Sequence, residues 1–195
     1  IICMNDMKQL SLGVFMYAAE NDGYTPLWRE DGSPPSWWRR NSSLWPYVKS
    51  SLYDPTSSNP MNEPPKRCIL IPRTFDGVTP YDYYGGISAN TWFFGPSASS
   101  PLVPLHRINQ PGELMMFVDG YSPTANYAAA YGLLERHGAR RVVYGEWTRG
   151  GVANVLYADG HAGTEKYAPV RYWGVEGSGW GPKYSRFWWD ADVPP

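Results

Sequence analysis

A surplus of charge of either sign is missing from this sequence: 17 Lys and Arg stand against 18 Asp and Glu, a formal net charge of −1. A phosphate backbone is held by a clear excess of basic side chains, so nucleic acid is excluded as the main partner, and no basic patch with interleaved aromatics stands out. Long apolar runs are missing as well. No stretch reaches the roughly 18 consecutive apolar residues that suggest a membrane span or reads as a signal peptide, which says less than usual where the sequence opens so abruptly at Ile1-Ile2. Cysteine is limited to Cys3 and Cys68, and histidine to His106, His137 and His161. The cysteines lack zinc-ligand spacing, no H-E-x-x-H occurs, and no G-x-S-x-G elbow presents a serine nucleophile. One disulfide fits an exported protein and two thiols fit a cytosolic one, so the cysteine count leaves both open.

Rings and chain-benders are plentiful: 10 Trp, 15 Tyr and 6 Phe accompany 20 Gly and 19 Pro. Such a mixture predicts turns and long loops pinned by large side chains, with few repeated regular elements. So many aromatics suit burial in a compact fold, or a surface that holds copies of itself or a carbohydrate. At 195 residues the chain is long enough for one substantial core, and nothing in it reads as a linker between two large domains.

The most regular stretch comes first. From Cys3 to Asn21, Cys3, Met7, Leu10, Val14 and Tyr17 recur at alternating steps of four and three, which is one stripe of a helix. Leu12, Phe15, Met16 and Ala19 form a second apolar stripe, so this helix is expected to need cover on most sides. Asn21-Asp22-Gly23 supplies residues that tolerate the left-handed conformation, and Pro26 follows, which predicts the stop. Ile1-Ile2 stands where an N-cap would be expected, as if the sequence opened within a longer apolar helix.

Residues 24–67 are aperiodic and rich in Pro, Ser and Asn, with a helical turn or two expected over Ser43 to Tyr53. Pro55, Pro60, Pro64 and Pro65 predict irregular chain. Arg67 to Ile71 reads as a brief strand or anchored loop. Residues 81–94 read as an extended segment broken by a bend. Leu114 to Asp119 is the cleanest strand, apolar enough to want cover on both faces. Ala128 to Leu134 is expected as a short helix, and Arg141 to Trp147 and Val152 to Ala158 as strands. Asp159-Gly160 predicts a two-residue hairpin with a type I′ turn. The second half is therefore expected to hold an antiparallel sheet of about three or four strands. Tyr172 to Trp189 reads as an aromatic-rich wrapping loop.

Few groups suggest chemistry. Asp159 and His161 flank a glycine, but neighbours on a hairpin tip are expected to point in different directions, and the turn itself accounts for Asp-Gly. Calcium is the ion to consider, with Asp119, Asp159, Asp190 and Asp192 as candidate oxygen ligands, although no twelve-residue calcium loop is present. Glu146 beside Trp147, or Glu165 near Asp159, offers acids for a glycosidase without showing a pair.

Taken together, the pieces resemble a family. Cys3-Met4-Asn5-Asp6-Met7-Lys8-Gln9-Leu10, leading into Met16-Tyr17-Ala18-Ala19-Glu20-Asn21-Asp22-Gly23-Tyr24, is similar to the N-terminal helix, past its membrane half, of bacterial prepilin-like proteins of the planctomycete and verrucomicrobial type. Gly151-Val152-Ala153-Asn154-Val155-Leu156-Tyr157-Ala158-Asp159-Gly160-His161 resembles the C-terminal signature of that family. Tyr84-Gly85-Gly86-Ile87-Ser88-Ala89-Asn90 resembles its Tyr-Gly-x-Asn region, and Ile108 to Leu114 with Phe117-Val118-Asp119 its Pro-Ser-Glu-Thr strand. The family usually sets a His nine residues ahead of the Asp-Gly, whereas 21 residues separate His137 from Asp159.

The resemblance implies a pilin-like or type II secretion pseudopilin-like subunit of α+β class. Residues 1–23 would be the C-terminal part of a longer helix, packed on a C-terminal antiparallel sheet, and residues 24–195 the globular head. It implies export to the cell surface or beyond, membrane contact only through a preceding apolar segment, and no catalytic activity. The partners would be copies of the same chain in a filament or tube. Cys3, Met7, Leu10, Leu12, Val14, Phe15 and Tyr17 would form the assembly helix, and Asn154, Asp159, Gly160 and His161 the family signature. Export further implies a Cys3–Cys68 disulfide. No cofactor is implied, with calcium as the ion to test. The rival readings are a glycan-binding module that uses exposed Trp and Tyr, and a hydrolase whose site carries no recognised motif.

Overall fold

The computed structural model describes residues 2–26, 29–30, 36–37, 44, 46–48, 87–94, 104–119, 124–125, 137 and 151–165. Helix α1 runs from Ile2 to Glu20. It ends as its sequence predicts: Asp22 takes a φ of 53° and Gly23 of 83°, and the Gly23 N–H donates to the Ala18 carbonyl at 2.8 Å. That six-to-one bond, with a left-handed residue inside it, closes the last turn and satisfies a carbonyl that the helix leaves open. The Asn21 side chain donates to the Tyr17 carbonyl and satisfies another.

The strands are β1 (Arg29–Glu30), β2 (Ser36–Trp37), β3 (Ile87–Asn90), β4 (Met115–Asp119), β5 (Thr124–Ala125), β6 (Ala153–Tyr157) and β7 (Ala162–Glu165). β1 and β2 form a separate two-residue ladder. The others make one sheet in the order β5-β3-β4-β6-β7, antiparallel except at the β5 edge, where β5 runs parallel to β3. The sheet thus exceeds the expected three or four antiparallel strands by one short parallel edge. A four-residue helix, α2 (Thr91–Phe94), follows β3 directly where extended chain was expected, and the bend expected at the Gly85-Gly86 pair lies outside the described residues.

Central strands β4 and β6 are buried at every position, as an apolar run with cover on both faces requires. On one face Phe117 and Leu156 are register partners and join Met7, Leu10 and Val14 of α1, which packs across β6 and β7. Ile87, Phe93, Phe94, Ile108, Leu114, Leu44 and Val48 complete this core. Val118 and Val155, partners in the adjacent register position, turn to the opposite face and are also fully buried. The β4–β6 register slips between Met115 and Phe117, leaving Met116 as an extra residue. The Asn90 side chain donates to the Met115 carbonyl at 2.7 Å beside this bulge, so β3 carries a polar side chain where the ladder is irregular.

The chain beyond α1 is stitched to the rest by polar contacts. The Leu105 N–H, which opens the 3-10 turn Leu105–Arg107, donates to the Gly23 carbonyl, and the Thr25 hydroxyl donates to the Phe93 carbonyl. The Tyr47 hydroxyl donates to the Glu20 carboxylate, and that bond raises the phenol above its ordinary pKa.

Asp6 is the exception among the residues α1 buries. It is 6% exposed, and its Oδ2 has no hydrogen-bond partner among the described residues. Desolvation raises its carboxyl above the usual 3.8. The folded state therefore binds this proton more tightly than the unfolded chain, and its stability falls as pH rises from 3.8 through the raised value. Asp6→Asn is expected to stabilise the fold at pH 7 by on the order of 1 kcal/mol and to leave it unchanged below about pH 3, where Asp6 is already neutral. Urea midpoints of the two proteins at both pH values check this.

Candidate functional site

Three places gather the residues with chemical potential. The first is at the junction of β4 and β6. Asp119, the last residue of β4, is fully buried, and its Oδ2 accepts the Asn154 backbone N–H at 2.7 Å. The same oxygen lies 2.8 Å from His137 Nε2, which places the ring proton on Nε2. His137 reaches this position because its backbone N–H and carbonyl pair with Val152, one residue ahead of β6. Among the described residues, Asp119 Oδ1 and Asn154 Nδ2 are buried without hydrogen-bond partners, an acceptor and a donor on adjacent strands. The three residues act as a clamp: one carboxylate holds the end of β4, the start of β6 and the segment of His137 together.

The second place is the hairpin between β6 and β7. Its tip is not the expected two-residue type I′ turn. Tyr157 pairs with His161 across the loop Ala158-Asp159-Gly160, the Gly160 N–H donates to the Tyr157 carbonyl, and only Gly160 has positive φ, at 88°. This is a three-residue connection, a type I turn closed by a left-handed glycine. The change has a chemical consequence, because Asp159 and His161 do not diverge as the sequence reading expected. Asp159 Oδ1 accepts the His161 backbone N–H at 2.9 Å and lies 2.6 Å from His161 Nδ1. The imidazole also stacks on the Tyr157 ring, with centroids 4.2 Å apart. Tyr157 donates to Glu165, and burial, aided by that bond, pushes its phenol far above the ordinary range. Both Asp159 and His161 are well exposed, and the tip rests on the half-buried Phe15 of α1, whose ring would meet a Cβ at Gly160 at 2.9 Å.

The third place is α1 itself. Of the predicted assembly residues, Cys3, Met7, Leu10 and Val14 are buried at 2% exposure or less, with Met7, Leu10 and Val14 in the chain's own core. They are occupied before any partner arrives. Phe15 is half-buried against the hairpin tip, and Tyr17 meets the Tyr47 ring edge-on at 6.0 Å. Leu12 alone of the seven lies open, at 59%, with Met16 beside it at 45%. The second apolar stripe, expected to require cover, faces solvent at Leu12, Met16 and Ala19.

No protein-family model, no curated protein and no solved structure matches this chain.

The Cys3–Cys68 disulfide is overturned. Cys3 is a thiol and not half of a disulfide, buried on the stripe that α1 turns away from solvent, and Cys68 lies outside the described residues. Of the calcium candidates, Asp119 is engaged with His137 and Asn154, Asp159 is engaged with His161, and Asp190 and Asp192 lie outside the described residues. Among the described residues no three His, Cys, Asp or Glu side chains converge as metal ligands, and no helix is long and apolar enough to cross a membrane. The strands expected at Arg67 to Ile71 and Arg141 to Trp147, the helix expected at Ala128 to Leu134, the acid Glu146 and the aromatic tail also fall outside the described residues.

Sequence reasoning missed the part played by His137. The sequence singles it out only for its distance from Asp159, and its partner Asp119 reads as the end of an apolar strand. A buried carboxylate closing a strand is the one signal available, since such a group requires a hydrogen-bonding partner from somewhere.

Proposed function

We propose that the chain is a structural subunit that assembles with copies of itself into a filament or envelope structure, in the manner of pilin-like and pseudopilin-like proteins. The observation that carries this reading is the divided surface of α1. One stripe is fixed in the subunit's own core, and the opposite ridge keeps Leu12 and Met16 open to solvent at 59% and 45%. An N-terminal helix that is both a core element and an apolar outer face suits a subunit whose helix meets other subunits. The order of the sequence resemblances, from the helix to the Asp-Gly-His hairpin, supports the same reading.

Removing residues 1–19 is a poor test, because it would strip Met7, Leu10 and Val14 from the core. Leu12→Glu/Met16→Glu changes only the exposed ridge. Electron microscopy of native material from the source cells should show regular filaments or tubes, and the double variant should lose them while its circular dichroism stays unchanged. Discrete monomers in both samples would reject the proposal.

A further inference from the structure

The exposed ridge of α1 carries more than apolar contact. Lys8, Leu12, Met16 and Glu20 are all exposed and follow one another at four-residue steps, the spacing of a helix ridge. The row has a basic residue at one end, an acidic residue at the other and two apolar residues between. It is symmetric about position 14: Lys8 and Glu20 are equidistant from it, and so are Leu12 and Met16. Reversing the ridge therefore places acid where base was and apolar on apolar. Lys8 has no ion-pair partner among the described residues, and the Glu20 carboxylate touches only the Tyr47 hydroxyl there.

We infer that this ridge is a two-fold self-association surface on which a second copy of the chain lies antiparallel. Lys8 of each copy faces the partner's Glu20, and Leu12 of each faces the partner's Met16. At 1.5 Å per residue, Lys8 and Glu20 stand about 18 Å apart along the axis, so the two ion pairs bracket the apolar centre. A parallel partner shifted to bring its Lys8 to Glu20 would carry its Leu12 and Met16 beyond the helix end and keep only one of the four contacts. The antiparallel arrangement satisfies all four positions at once. Such a contact is small, so the pair forms weakly and reversibly. A two-fold contact closes on itself and does not by itself propagate. The pairing uses the same ridge as the filament reading but does not require a filament, and a filament built from such pairs needs a further contact elsewhere on the subunit.

Charge exchange on the intact chain tests the pairing. Sedimentation equilibrium at low salt should show a monomer–dimer equilibrium in the wild type. Lys8→Glu or Glu20→Lys alone places like charges together at both ends and should weaken the dimer by about tenfold or more, and Lys8→Glu/Glu20→Lys should restore it. Orientation is read separately: mixed Leu12→Cys and Met16→Cys proteins should form the mixed disulfide faster than either protein links to itself, with the native Cys3 buried at 2%. A monomer at all concentrations, no recovery in the exchanged double variant, or Leu12→Cys linking to itself as fast as to Met16→Cys would overturn the inference. None of these results depends on whether filaments are seen in the microscope.

Discussion

Asp119→Ala is expected to destabilise the fold by about 3–5 kcal/mol, the largest loss among the polar residues described. The Asn154 backbone N–H would lose the acceptor it holds at 2.7 Å in a site with no exposure, and His137 would lose the carboxylate at 2.8 Å. The cavity left behind adds to the deficit. Two comparisons separate the clamp from a simple packing defect. Asp119→Asn keeps the volume and an oxygen for Asn154, so it should cost less than Asp119→Ala. His137→Ala should cost only about 1–2 kcal/mol, since Asp119 then keeps its bond from the Asn154 backbone. In a double-mutant cycle the Asp119 and His137 losses should be less than additive, because each removes the same contact. Urea denaturation of the four proteins measures this. Additive losses would show that the imidazole and carboxylate contribute independently and that the clamp is not a unit.

The elements legible in the sequence were those written in local pattern. The stripe Cys3, Met7, Leu10 and Val14, with Asn21-Asp22-Gly23 behind it, marked both the buried face and the stop of α1. The apolar run Leu114 to Asp119 announced a strand covered on both faces, realised as Met115–Asp119, and Val152 to Ala158 announced the strand realised as Ala153–Tyr157, whose burial on both faces was not foreseen. The hairpin position was equally plain, and its error was one of turn type. Asp-Gly permits a two-residue turn, but the Tyr157–His161 pairing fixes a three-residue one, and this brings the Asp159 and His161 side chains together. What pattern could not supply was anything that depends on distant segments meeting. The His137–Asp119 contact is of this kind, as is the parallel edge strand β5, which is only Thr124–Ala125. The disulfide failed for a related reason: it was inferred from export and not from any geometry, and Cys3 turned out to belong to the buried stripe of the helix.

Gly13 illustrates a residue whose importance periodicity hides, and it gives the second large effect. A glycine in the middle of a 19-residue helix costs roughly 1 kcal/mol relative to alanine, so propensity alone would make Gly13→Ala stabilising. The structure reverses the sign. A Cβ at Gly13 would lie 2.2 Å from Val48 Cγ2, well inside any tolerable contact, and at an ordinary 3.6 Å from Leu44 Cδ1. Val48 is β-branched and sits at 5% exposure, so it has few rotamers into which it can retreat. The segment of Leu44 to Val48 must back away from α1, and with it the Tyr47 ring that meets Tyr17 and the hydroxyl that binds Glu20. Gly13→Ala is therefore expected to lose about 1–3 kcal/mol net, and Gly13→Leu more. A compensating Val48→Ala should recover much of the loss in Gly13→Ala, because it removes the atom that the new methyl strikes, while Val48→Ala alone should destabilise by leaving a gap. Thermal unfolding of the three variants decides it: if Gly13→Ala melts above the wild type, helix propensity governs this position and the close approach of Val48 does not.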